Sequence, residues 1–177
     1  MVTIRPCVLG LVFVMLCVSN GFAQKSPEDQ PRSATVQTTS IQLAPELKSQ
    51  VDRMLQRSAT FREQYRRIAE APMVVVGVRT DVRLCETSYK ARTTFRRYQS
   101  GLMVATVTVS PGAHQEEWIA HEFEHVLEQL DGQNLPQMAR SHAKDVWFSG
   151  SDTIETDRAI KAGRTVRSEM QQAANTR

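Results

Sequence analysis

The segment Ala120-His121-Glu122-Phe123-Glu124-His125-Val126 constrains this chain more than any other. It lies within residues 115–130, where apolar positions recur at helical spacing. At about 100° per residue, with Ile119 as zero, Phe123, Val126, Leu127 and Leu130 fall in a stripe centred near roughly 25°. His121 and His125 fall near roughly 200° and 240°, on the opposite side, and Glu122 near roughly 300°, at the border. One face of this helix must pack on a core while the other turns two imidazoles toward a cleft. The fold therefore needs a layer behind the helix and open space in front of it.

Two histidines four apart on one helical face can share a metal ion, here read as zinc, and the glutamate beside the first can hold an attacking water as catalytic base. The competing reading is a pair of surface histidines. An apolar back to the helix and a strand-like run before it favour the metal. A catalytic zinc takes three protein ligands plus water, so His121 and His125 need a third partner. Glu155 is one candidate, read as opening a last helix over roughly residues 152–172. Ala159, Ala162, Gly163, Val166 and Met170 lie within about 80° of its direction, so it shares the helix's close-packing face. A carboxylate turned into a packed interface needs a partner, although Asp152 followed by Glu155 also fits a capping box. Asp131, which with Gly132 also suits a helix-ending turn, is a second candidate, and His142 a third. His142 and His114 are lone histidines outside the helix, a type more often neither ligand nor catalyst.

The chain begins with what reads as an export signal. Residues 1–23 combine a basic Arg5, an apolar run over 7–18, and Gly21-Phe22-Ala23 as a cleavage site. About twelve apolar residues fall short of the roughly 20 that span a bilayer, so no stable membrane anchor is expected after cleavage. The mature protein is then periplasmic or extracellular. Cys7 and Cys17 fall in the signal, leaving Cys85 alone and no internal disulfide; its context, Val82-Arg83-Leu84-Cys85, reads as a half-buried strand thiol. The net charge of +3 is weak and the arginines are spread without aromatic platforms, which argues against nucleic acid as a partner. Nothing in the sequence sets an oligomeric state.

Residues 24–44, rich in Ser, Thr, Gln and Pro, read as a flexible leader, and 45–177 as the folded domain. Leu47, Val51, Met54, Leu55, Phe61, Tyr65 and Ile68 recur at helical spacing up to Pro72, as one helix or as two joined near residue 59, where Thr60 and Glu63 suggest a capping box. Residues 73–78, 89–98 and 102–109 read as strands, the last two joined through Gln99-Ser100-Gly101 as a hairpin. The expected fold is α+β: N-terminal helix or helices, a small, mainly antiparallel sheet of about three strands, the His121–His125 helix, and a C-terminal helix.

With HEFEH followed by a glutamate on a later helix, the sequence resembles the gluzincin branch of the zincin metallopeptidases, close in size to their minimal members. The resemblance covers residues 73–170 in layout and is specific at His121, Glu122, His125 and Glu155. It implies that His121, His125 and Glu155 hold zinc, that Glu122 takes a proton from the water, and that the substrate is a peptide or protein. It also implies an edge strand beside the helix that holds the substrate extended, here part of 102–109 or a neighbouring strand. Arg158 and His142 are the candidates for stabilising the oxyanion. Metzincin-type enzymes place their third ligand where Asp131 stands, but need a glycine at the position of Glu128 to turn the chain. A second functional reading is a non-catalytic, zinc-stabilised interaction module of the same fold. A third is polyanion binding through the arginine-rich first helix.

Overall fold

The computed structural model describes residues 40–87, 89–150 and 153–175. The export signal and most of the expected leader lie outside these residues. The first described element is a strand, β1 (Ile41–Leu43), inside the stretch read as leader. Two helices follow, α1 (Lys48–Arg57) and α2 (Ala59–Glu70), then β2 (Val74–Thr80). The break between the helices is made by Ser58, in extended backbone, whose hydroxyl accepts from the Phe61 N–H at 2.9 Å. Thr60 and Glu63 do not form the expected box: Thr60 donates to Glu169 at 2.8 Å, and Glu63 pairs with Arg66.

After a short 3-10 turn over Val82–Glu86 come β3 (Ala91–Arg97) and β4 (Met103–Val109), an antiparallel hairpin whose turn uses Gly101 at φ 86. Cys85 sits in that 3-10 turn and is exposed, not half-buried in a strand. Then follow α3 (Gln115–Leu130), α4 (Leu135–Arg140), β5 (Val146–Phe148), β6 (Ile154–Thr156) and α5 (Asp157–Asn175).

The chain is α+β, but the sheet corrects the expectation of a mainly antiparallel one. It has four strands in the order β1-β2-β4-β3, with β1–β2 and β2–β4 parallel and only β3–β4 antiparallel. The cause is connectivity. Parallel neighbours need a crossover, and α1 with α2 returns the chain from the end of β1 to its start. β3 returns the chain in the same way between β2 and β4, but pairs outside β4 and so becomes an edge.

One face of the sheet carries the core. Val74, Val76 and Val78 of β2 and Met103, Ala105 and Val107 of β4 are buried, and β3 places Ala91, Thr93, Phe95 and Arg97 in register on that side. The helix α3 packs over β3 and β4. Phe61 of α2 stacks on Phe123 of α3 at 5.3 Å between ring centres, and both are fully buried, worth about 3 kcal/mol each. On its other flank α3 meets α5 at Gly163. A Cβ there would lie 2.8 Å from the Glu117 carbonyl oxygen and 3.2 Å from the Cβ of His121, so only glycine permits this approach. No helix of the described residues is long and apolar enough to cross a membrane.

Candidate metal centre

The apolar stripe read from the sequence is the buried side of α3: Ile119, Phe123, Val126 and Leu127 are in the core. His121 and His125 project from the other side into a cleft of about 660 Å³, bounded by β3, the start of α4 and β6. Both are nonetheless buried, each 7 % exposed, with Glu155 of β6 against their ring nitrogens.

Glu155 stands on β6, two residues before α5, and does not open the last helix. That helix starts later because Thr156 caps it, its hydroxyl accepting from the Ala159 N–H at 3.0 Å. The residues before the cap stay extended and pair with β5, placing Trp147 opposite Glu155. Asp152 is outside the described residues, so the capping box suggested for it is left aside.

The Glu155 carboxylate meets both imidazoles: Oε1 lies 3.1 Å from His121 Nε2 and 3.4 Å from His125 Nε2. One donor atom from each of the three residues falls within 4.8 Å of the others. Bonds of about 2.05 Å in a tetrahedral zinc site set neighbouring donors about 3.3 Å apart, so the carboxylate's spacing from both histidines fits that ion. Two imidazole nitrogens and one carboxylate oxygen also match the donor types that zinc takes in catalytic sites.

A second layer of bonds fixes these donors. Glu128, three residues after His125 and 1 % exposed, places Oε2 at 2.8 Å from His125 Nδ1, leaving Nε2 for the shared point. Its Oε1 accepts from the Thr156 hydroxyl at 2.7 Å. Glu155 itself accepts from the Thr156 N–H at 3.0 Å. Glu122 is buried on the cleft wall and accepts from the Thr93 hydroxyl at 2.6 Å. In the sequence Thr93 and Thr156 have no place in the site, and Glu128 is marked only as the residue standing where a glycine would turn the chain. Glu128 had a visible signal in its i,i+3 spacing from His125; Thr93 and Thr156 depend on tertiary pairing.

The electrostatics follow from the same contacts. Burial pulls the His125 imidazole down, but its bonds to Glu128 and Glu155 and the nearby charge of Glu122 outweigh it and raise it to about 10. Burial pushes the Glu155 carboxyl up, and the bonds from His121 and His125 reverse that, lowering it to about 2. Burial raises Glu122 above the ordinary range, against the charges of His125 and His121 and the Thr93 bond. The centre is thus a pocket of closely balanced charge in which a cation would compete with protons for the same donors.

The other sequence candidates lie elsewhere. Asp131 is held by Arg67 at 2.6 Å and Arg158 at 2.7 Å, outside the donor cluster. Arg158 also donates to Glu124 at 2.6 Å, bracing α5 against α3. His142 is exposed in the turn after α4 at φ 53, and His114 is exposed at the start of α3. Neither Arg158 nor His142 lines the cleft. No known family model, curated protein or solved structure matches the chain.

Proposed function

We propose that this protein is a zinc-dependent peptidase of the HExxH type, acting outside the cytoplasm. One observation carries the reading: His121, His125 and Glu155 converge on one point while Glu122 lines the same cleft, beside an exposed edge strand. A site built only to stabilise a fold has no need of a base and closes with four protein ligands. The likeness to gluzincins supports the same assignment, and the export signal read at residues 1–23 supports the location.

In this reading His121, His125 and Glu155 hold the ion. Zinc held there would supply Lewis acidity, lowering the pKa of a water toward about 7 and polarising a carbonyl. Glu122, buried on the cleft wall, is placed to take a proton from a water in the cleft and pass it to the leaving amine. Thr93 occupies one of its carboxylate oxygens and keeps the other turned for transfer. The edge strand β3 offers unpaired backbone groups along the cleft, so an extended peptide can lie against it. This assigns to β3, not β4, the strand role that the resemblance implies, because β4 is paired on both sides.

The test is elemental analysis of the purified mature chain beside a His121→Ala/His125→Ala variant, followed by hydrolysis of a mixed peptide library. One zinc per chain is expected, lost in the double variant, with hydrolysis that a chelator stops and zinc restores. Equal zinc in both proteins overturns the metal assignment. Zinc bound without any hydrolysis leaves the non-catalytic module as the better account.

A further inference from the structure

The four-stranded sheet has a second face. Val74, Val76 and Val78 of β2 and Met103, Ala105 and Val107 of β4 point into the core, so the residues between them point the other way. The same core takes side chains from α1, α2, α3 and α5, which places these helices on the first face. The second face carries three rows in register: Arg79, Thr108 and Arg92; Gly77, Thr106 and Thr94; Val75, Val104 and Arg96. Arg79, Arg92, Thr94 and Arg96 are exposed. Thr108 is buried, and its hydroxyl accepts from Arg79 Nε at 3.4 Å.

The charge on this face is of one sign. Arg66, Arg67, Arg83, Arg158 and Arg167 each meet a carboxylate, but among the described residues Arg79, Arg92 and Arg96 meet none. Asp81, just past the end of β2, is already held by Arg83 at 2.7 Å. With strands about 4.8 Å apart and residues about 3.3 Å apart along them, the three arginines are rooted roughly 10–16 Å from one another. That spread suits an extended anionic surface better than one small anion.

The hairpin end of the same sheet is apolar. The Tyr98 N–H donates to the Leu102 carbonyl at 2.9 Å, which extends the ladder by one row, and by alternation Tyr98 follows Arg96 on the second face. Tyr98 is 45 % exposed, and Met73, at the same end of the sheet just before β2, is 53 % exposed. An exposed tyrosine and an apolar side chain beside arginines are the combination that holds a protein at a lipid–water interface. A single-stranded nucleic acid would need aromatic platforms among the arginines, where this face has Val75, Val104 and Thr94. A second copy of the face would set like charges against each other.

We propose that this face docks the protein peripherally on a bilayer with anionic headgroups, Arg79, Arg92 and Arg96 meeting the phosphates and the Tyr98 and Met73 end entering the interface. This goes beyond the peptidase reading and does not depend on it. The cleft lies with α3 on the other side of the sheet, so docking leaves it open.

The experiment is cosedimentation of the purified mature chain with phosphatidylcholine vesicles, with and without phosphatidylglycerol. Binding is expected to the anionic vesicles only, and to weaken as salt is raised. Arg79→Ala/Arg92→Ala/Arg96→Ala should cut partitioning by about a hundredfold, with circular dichroism showing the fold kept. A control with the same loss of charge on α4 and α5, Arg140→Ala/Lys161→Ala/Arg164→Ala, should keep most of the binding. Tyr98→Ser should weaken vesicle binding while leaving retention on heparin unchanged. Equal losses in the two triple variants reduce the effect to net charge and overturn the proposal. Absence of binding to anionic vesicles overturns it too, and retention on heparin in that case assigns the face to a soluble polyanion.

Discussion

Thr156 and Glu128 are joined by a 2.7 Å hydrogen bond that links two of the three donor residues at one remove. Thr156 follows Glu155 in the chain, and Glu128 holds the far nitrogen of His125. The carboxylate that orients one donor thus also anchors the strand end that carries another. The same hydroxyl caps α5, so the helix start and the donor position are set together.

Glu128→Gln therefore weakens zinc binding without touching the ion. The amide keeps the shape but loses the charge that holds the imidazole, and supporting partners of this kind are worth about 10–100-fold in metal affinity. Competition against a chromophoric chelator measures it, with circular dichroism to show that the fold is kept. An affinity within twofold of wild type removes Glu128 from the centre.

Glu122→Gln separates chemistry from binding. Zinc occupancy should persist while peptide hydrolysis falls about 10²–10⁴-fold, the contribution of a general base. Retained metal and lost activity must appear in the same preparation. An unchanged rate takes Glu122 out of the mechanism.

Gly163→Ala tests the contact between α3 and α5. Alanine is the better helix former by about 1 kcal/mol, which alone would stabilise α5. The added methyl, however, meets a backbone oxygen at 2.8 Å, which cannot rotate aside. Overpacking of this sort costs about 1–3 kcal/mol and should win, lowering stability in urea and displacing the turn that carries His121. A stabilised variant with wild-type zinc affinity would show that the two helices separate freely.

Asp131→Asn distinguishes the two carboxylate candidates for third ligand. Zinc stoichiometry should be unchanged, because Asp131 is engaged by Arg67 and Arg158, whereas Glu155→Gln should lower affinity. Burial pushes the Asp131 carboxyl up, but the bonds from Arg158 and Arg67 outweigh it and hold it below the ordinary range. Its contribution to stability is complete above an unfolded value near about 4 and is lost as pH falls through the lowered folded value. Unfolding midpoints between about pH 6 and about pH 3 should fall less steeply in Asp131→Asn, with a neutral-pH cost on the order of 1 kcal/mol. Loss of zinc in this variant alone would restore the metzincin-like arrangement.

What could be read from the sequence was local. The helix over 115–130 has the observed bounds, because its apolar stripe is long and unbroken. The hairpin was visible in Gln99-Ser100-Gly101. The parallel pairings were not, since parallel register leaves no turn to read, and β1 is three residues whose partners, Val76 to Val78, lie thirty-five positions on. For Glu155 the residue was a candidate but its element was wrong: the small residues of α5 pointed to a packed face, while Thr156 ended the extended run one residue too late for a helical ligand. Leu135–Arg140 escaped because six residues give too few turns for a periodicity, although Asn134 followed by Pro136 is a helix-start pattern.

Among the described residues the buried apolar side chains form two groups. The larger holds Phe123, Val126 and Val166 with the sheet; the smaller is Leu135, Ala139 and Val146, with Met138 and Ile154 beside them. His121 and His125 are rooted in the first, while Glu155 rides on a two-stranded ribbon rooted in the second. The donor set thus straddles a seam inside the molecule. A ribbon held by so few buried side chains opens locally at far less cost than the core melts. A cation gripped from both sides would act there as a rivet, and the tightness of the cleft mouth would become a function of how much metal surrounds the protein.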